Sequence, residues 1–244
     1  VSVIIALISM KYRTSDIHIK KEDLHLQPQV FKQILKVGFP VAIQDGCIQV
    51  AFIIITIIAN SRGLNDAAAV GIVEKMITAI FIIPSTMLAT VSALSAQNIG
   101  AKDYGRARAV LKYAVMITTL YGIIVALIVE FCAPTLLGLF TKDTTVILLG
   151  VQYISSYIID TIFAGIHFSF SGYFAADGKS YIGFIHNIIS ISLVRVPGSY
   201  IASIMYPHNL FPMGLAAPLG SVLSVIICLI AYCILKKKDE LSVL

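Results

Sequence analysis

An all-α, polytopic membrane helix bundle is the fold class this sequence predicts, and three observations carry it. Six apolar runs lie at about Val37–Asn60, Ala67–Asn98, Val110–Glu130, Val146–Phe174, Ile182–Tyr206 and Met213–Leu235. Each reaches or approaches the ~20 residues a helix needs to cross hydrocarbon. Charged residues make up only 13% of the chain against 58% hydrophobic, and mean hydropathy is +0.90, values of a chain solvated by lipid. Third, the basic residues alternate between the two sides of the runs. If the first run starts in the cytoplasm, the cytoplasmic segments hold Lys11, Arg13, Lys20, Lys21, Lys32, Lys36, Lys102, Arg106, Arg108, Lys112, Lys179, Lys236, Lys237 and Lys238, fourteen of eighteen. The other side holds Arg62 and Lys142, while Lys75 and Arg195 fall inside runs. That asymmetry predicts cytoplasmic ends for the six-helix block, in a plasma (inner) membrane.

The net charge of +5 therefore calls for anionic lipid headgroups and no nucleic acid. Cys47, Cys132, Cys228 and Cys233 lie within or beside runs without metal-ligand spacing and read as small apolar packing residues. No HExxH, GxSxG or Gly-rich phosphate loop occurs, so nothing points to an enzyme or a bound cofactor.

Taken in order, Val1–Met10 is apolar but too short to span, and reads as the end of a preceding membrane helix. The prediction is thus six complete transmembrane helices plus a partial one at the N-terminus. Residues 11–36 read as a cytoplasmic linker. Within it, Val30, Phe31, Ile34 and Leu35 recur at helical spacing after Pro28, which marks an interfacial amphipathic helix. Residues 37–235 hold the six spans and 236–244 form a cytoplasmic tail. Pro40 predicts a kink near the start of the first span.

The second run is the longest; it carries Glu74 and Lys75 at its outer end, and Pro84 interrupts it. Beyond Pro84 it turns small and polar: Ser85, Thr86, Ala89, Thr90, Ser92, Ala93, Ser95 and Ala96. Small residues at this spacing either let helices approach closely or line a cavity.

Ionisable groups inside spans are costly and call for a reason. Asp45, beside Gln44 and Gln49, is the sole charge of the first span, and it either meets a cation or faces a wet vestibule. Asp160 lies near the centre of the fourth span and Arg195 near the centre of the fifth. The turn between these spans, Ala175–Ser180, contains Asp177-Gly178 and the midpoint of positions 160 and 195. In an antiparallel hairpin the two charges share one depth. They form either a fixed ion pair or a proton or cation site whose aspartate exchanges partners. His167 lies seven residues beyond Asp160 on the same helical face, with His186 at similar depth in the next helix, so a proton relay or a hydrogen-bonded structural histidine is expected.

Several stretches resemble the carboxy-terminal half of the multidrug and toxic compound extrusion (MATE) family. They are Lys36-Val-Gly-Phe-Pro40-Val-Ala-Ile-Gln44, Ala69-Val-Gly71, Ile83-Pro84-Ser85 leading to Ala96-Gln97-Asn98-Ile-Gly100-Ala, and Arg106-Ala-Arg108. To these add Asp160 followed by Gly172-Tyr173 and Asp177-Gly178-Lys179-Ser180, and Arg195-Val-Pro197. The resemblance implies one lobe of a two-lobe, twelve-helix secondary transporter. Such a protein would export cationic and amphipathic drugs in exchange for sodium ions or protons. It also implies an amino-terminal six-helix lobe as partner, without which this lobe does not transport, and a cation- or proton-binding role for Asp160. Gln44, Gln49, Ser85, Thr86, Ser92 and Tyr157 become candidates to line the cavity. Asp45 and His167 are further cation- or proton-binding candidates, with Arg195 as the structural or switching partner. Sodium-coupled members carry a glutamate about two turns beyond the proline of the first span. Here Ile48 and Gln49 stand there, so the resemblance does not choose between sodium and proton. A lipid-linked saccharide exporter of related fold and a non-transporting scaffold subunit are the alternatives.

Overall fold

The computed structural model of the chain describes residues 27–241, so the expected helix remnant Val1–Met10 and most of the linker lie outside the described residues. The described residues are helical apart from short turns, with no strand among them. The helices are α1 (Pro28–Arg62), α2 (Leu64–Ile80), α3 (Ile82–Gly100), α4 (Tyr104–Gly138), α5 (Thr144–Tyr157), α6 (Asp160–Ala176), α7 (Tyr181–Ser190), α8 (Val196–Met205) and α9 (Phe211–Leu241). Two compact units divide the chain. The described part of the first is residues 27–35, the opening turns of α1; the second, Lys36–Leu244, is the bundle. Five helical stretches are long and apolar enough to cross a membrane, or six if α5 and α6, bent by 42° at the break between them, count as one broken span. The protein is an integral membrane bundle, as the apolar runs require.

Prolines shape the spans, and at Pro40 and Pro84 a side-chain hydroxyl takes up the carbonyl the proline strands. A proline in a helix forfeits the bond to the carbonyl four residues back, and in lipid that carbonyl must find another donor. Pro40 strands Lys36, whose carbonyl oxygen accepts from Ser180 Oγ at 3.4 Å. α1 runs through Pro40 without a break. Pro84 strands Ile80, and Tyr121 Oη donates to that oxygen at 2.9 Å. Here the helix does break, at Phe81, and the single long run becomes α2 and α3.

The fifth run is also not one regular helix. Ile191–Arg195 forms a π-helical turn between α7 and α8, in which Val196 N–H bonds Ile191 O, five residues back. A wider turn tolerates Pro197 two residues after Arg195, and it changes the direction in which Arg195 points relative to an unbroken helix. The α6–α7 reversal follows the sequence closely. Gly178 sits at φ 69°, Gly178 N–H bonds Ala175 O at 3.1 Å, and Lys179 N–H bonds Phe174 O at 2.8 Å. That is the glycine-capped ending expected of Asp177-Gly178.

α6 is the central helix, packed by α3, α4, α7 and α9. Small residues permit it. A Cβ on Gly122 of α4 would lie 2.7 Å from Ile162 Cα, and one on Gly165 of α6 would lie 2.6 Å from Thr118 Cβ. Two apolar clusters result. One gathers α2, α5 and the first turns of α9 around Val70, Ile77, Tyr153, Tyr157 and Met213; the other gathers Val91, Leu111, Phe174 and Cys228. Along α9 the clusters claim Ala217 and Cys228; between them Pro218, Gly220, Ser221 and Ser224 are buried, and the two serines are the polar side chains among these. A polar layer thus separates two apolar ends.

Candidate functional site

That polar layer holds the charges. The α5–α6 bend places Asp160 at the first position of α6, with its side chain fully buried. The turn is tightened there by Thr161 N–H bonding Ile158 O at 3.0 Å and Ile162 N–H bonding Ile159 O at 3.2 Å. A carboxylate at a helix start is supported by the positive end of the helix dipole. The π turn directs Arg195 onto it: Nη2 donates to Asp160 Oδ2 at 2.9 Å and to Oδ1 at 3.2 Å. Equal depth in the hairpin places the two level, and the π turn and helix rotation bring them into contact.

The same Nη2 donates to Ser221 Oγ at 2.7 Å, and Ser221 Oγ lies 3.3 Å from His167 Nε2. His167 therefore connects to Asp160 through Arg195 and Ser221 and not directly. Its ring meets that of His186 edge-on, centroids 5.4 Å apart, and His186 Nε2 lies 2.9 Å from Ser171 Oγ. Both Nδ1 atoms are buried without a partner, as are Gln44 Nε2, Thr161 Oγ1 and Asn187 Nδ2. Of these groups His167 and Asn187 line the adjacent cleft, where their free atoms can bond water or a polar ligand.

A cleft of about 370 Å³ opens beside the pair. Its polar lining is Asp45, Gln49, Thr78, Ser85, His167, Asn187 and Arg195, and Phe52, Phe81 and Phe168 supply its aromatic surface. The volume is at the lower end of the range for small-molecule pockets. The candidates separate accordingly. Asp45, Gln49 and Ser85 line the cleft with His167 and Arg195, whereas Gln44, Thr86, Ser92 and Tyr157 are not among its lining residues. Tyr157 is buried in the apolar cluster against Tyr153, ring centroids 5.6 Å apart, and Gln44 is buried with its oxygen turned toward Gly183. The small polar face of α3 lies open, with Ser85, Thr86, Ala89, Thr90, Ala93 and Ala96 exposed, and α3 packs on α6 through Leu88 and Val91.

Glu74 was not singled out by sequence, yet it is an intramembrane acid with a partner. Thr56 Oγ1 on α1 lies 2.9 Å from Glu74 Oε2, while Oε1 is buried and unpartnered. The spacing Val70, Val73, Glu74, Ile77 puts this acid on the buried face of α2, a signal that was available. Asn187 and Ser221 carried none, being polar residues among many. Among the described residues no group of three or more His, Cys, Asp or Glu side chains gathers to hold a metal ion.

A profile of the family described as MatE matches residues 40–201. Multidrug and toxin extrusion protein 1 of Homo sapiens is 24% identical over 153 residues, 63% of this chain and 26% of the human protein. Probable multidrug resistance protein YoeA of Bacillus subtilis is 19% identical over 219 residues, 90% of this chain and 47% of that protein. The outward-facing structure of a multidrug resistance MATE family transporter of the MOP superfamily superposes with a TM-score of 0.87 at 17% identity, covering 97% of this chain and 54% of the other. The chain spans about half the length of that transporter and less of the curated relatives. With the profile running from the first span into the last turns of the fifth, and a lobe-sized fold held in common, the chain belongs to the MatE family.

Proposed function

We propose that the chain is the carboxy-terminal lobe of a secondary active exporter that exchanges sodium ions or protons for cationic, amphipathic drugs and xenobiotics. One observation carries the reading: a fully buried carboxylate, Asp160, held through a single nitrogen of Arg195 beside an aromatic-walled cleft. An ion pair inside hydrocarbon is expensive to keep, and apolar packing would stabilise the bundle as well or better. Exchange supplies the reason to keep it. A cation that binds Asp160 displaces Arg195, and binding of substrate and coupling ion at overlapping positions is the minimum an antiporter requires. Asp45, exposed on the cleft, attracts a cationic substrate; His167 passes or stabilises a proton through Ser221; Gln49 and Ser85 offer hydrogen bonds. The names of the human and Bacillus relatives support multidrug substrates.

In this reading an amino-terminal six-helix lobe completes the cavity, and one lobe rocks against the other in a lipid bilayer. Residues 37–235 form the transmembrane lobe of a plasma-membrane protein. The linker at 11–36 and the tail at 236–244 are cytoplasmic. The test reconstitutes the protein, in the length its own cell makes, into vesicles and follows efflux of a cationic dye under an imposed sodium or proton gradient. Asp160→Asn keeps an oxygen facing Arg195 and is expected to abolish exchange while eluting as a folded protein. Undiminished exchange in that variant removes Asp160 from the mechanism.

A further inference from the structure

At the basic end of the bundle α4 and α9 both pack on α6 and scarcely meet each other, which leaves a groove between them. On α6, Ile162 and Gly165 turn toward Gly122 and Thr118 of α4, while His167 turns toward Ser221 of α9. The half-buried Phe163 and Ile166 therefore look out between the two helices and form the floor. Phe170 closes it one turn further on, edge-on to Tyr232 of α9 with ring centroids 5.7 Å apart. Two cations overlook this groove from α4. Arg108 is half-buried and lies within electrostatic reach of the Tyr232 hydroxyl. Lys112 follows one turn later on the same helical face. Neither has a carboxylate within ion-pair distance among the described residues. Arg106, two residues before Arg108, differs: its side chain is 79% exposed and its neighbour is Asp103.

A basic residue that only sets topology needs water around it and nothing more, as Arg106 has. Arg108 gives up part of its hydration against the bundle and gains no acid in return. A phosphodiester supplies the missing anion: the fork of an arginine takes two of its oxygens, a lysine adds a point charge, and a tyrosine hydroxyl donates a further bond. The floor runs from this rim into hydrocarbon, so a molecule seated here carries acyl chains below its phosphate. We propose that the groove between α4 and α9 binds an anionic phospholipid of the leaflet at the basic end of the bundle, its phosphate on Arg108, Lys112 and Tyr232 and its chains along Phe163 and Ile166. Basic pockets between membrane helices hold acidic headgroups in this way. The groove is separate from the cleft, whose Phe168 stands well round α6 from Phe163, and it does not depend on the exporter reading.

The test is native mass spectrometry of the purified protein, in the length its own cell makes, released from detergent micelles equilibrated with dioleoylphosphatidylglycerol or dioleoylphosphatidylcholine. One phosphatidylglycerol is expected to bind about tenfold more tightly than one phosphatidylcholine. Arg108→Gln lowers the affinity for phosphatidylglycerol about tenfold and leaves that for phosphatidylcholine unchanged. Lys112→Gln lowers it about threefold, as a point charge without a fork should. Arg106→Gln removes the same charge from the same turn of α4 and leaves both affinities unchanged. Glycerol 3-phosphate, which has the phosphate and no chains, does not displace the lipid at equal concentration. If Arg108→Gln does not fold, as size-exclusion chromatography shows, Lys112→Gln against Arg106→Gln decides. Equal affinity for the two lipids, equal losses at positions 106 and 108 (or 106 and 112), or displacement by glycerol 3-phosphate overturns the proposal.

Discussion

Two arginines in this bundle sit beside aspartates, Arg62 at the junction of α1 and α2 and Arg195 in the π turn of the fifth span, and they distribute their N–H groups in opposite ways. Arg62 Nε donates to Asp66 at 2.6 Å, Nη1 to Ser203 O at 2.9 Å and Tyr206 O at 3.1 Å, and Nη2 to Pro207 O at 2.9 Å. Every nitrogen is engaged, and three of the four acceptors are carbonyls at and just beyond the carboxy-terminal end of α8, where a cation complements the helix dipole. Among the described residues, Arg195 makes all its bonds through one nitrogen, and Nε and Nη1 make none. The first arginine is a pin whose removal loosens a helix end. The second keeps N–H groups that bond no acceptor among the described residues, which is what the proposed exchange of partners would use. The number of N–H groups engaged, not the presence of an aspartate, distinguishes the two. It also explains why Arg62 stands against the charge asymmetry of the chain: it is retained for α8, not for topology.

The comparison breaks most directly at the aspartates. Asp160→Ala strands a mostly buried guanidinium and is expected to cost about 3–5 kcal/mol of stability. Asp66→Ala removes a partner from an arginine that is also mostly buried, but leaves it on three carbonyls, and is expected to cost less, about 1–3 kcal/mol. Thermal unfolding in detergent reads both, and equal losses would erase the distinction. Next in size is Gly220→Ala. Its Cβ would lie 2.5 Å from Arg195 Cγ and 2.7 Å from Ser190 Oγ, so overpacking of about 1–3 kcal/mol is expected. A neutral result in the same unfolding assay would mean that Arg195 moves aside freely, which sharpens the picture of a loosely held side chain. Arg62→Lys keeps the charge and loses the fork, for about 1 kcal/mol. Faster amide exchange confined to the end of α8 is the expected signature, and protection unchanged there contradicts the role of a pin. The smallest effect belongs to Tyr121→Phe, which leaves Ile80 O without its donor and is expected to cost about 0.6 kcal/mol. No change in melting temperature would show that water replaces the hydroxyl.

Much of the architecture was legible because lipid imposes a simple rule. A helix must be about twenty apolar residues long, and a mid-span charge must have a partner. Those demands identified six apolar runs, of which five are matched by helical stretches long enough to span and the other by the bent α5–α6 pair, and the hairpin symmetry about Gly178 put Asp160 and Arg195 at one depth. They did not reveal where α5 gives way to α6, because no proline or glycine marks Ile158 or Ile159. The π turn likewise has no signature beyond Pro197, since a single extra residue in a turn leaves the apolar content unchanged.

Composition, run length and charge placement by themselves determined that the chain is a membrane bundle and which ionisable groups need explaining, because these follow from one-dimensional partition between water and hydrocarbon. The tertiary structure alone decided that Tyr157 packs in an apolar cluster while Asn187 lines the cleft, that Glu74 meets Thr56, and that Arg195 keeps N–H groups unfilled. Those outcomes depend on how each helix is rotated about its axis against its neighbours. Rotation is set by the interlocking of many small contacts, such as Gly122 against Ile162 and Gly165 against Thr118, which no single residue announces.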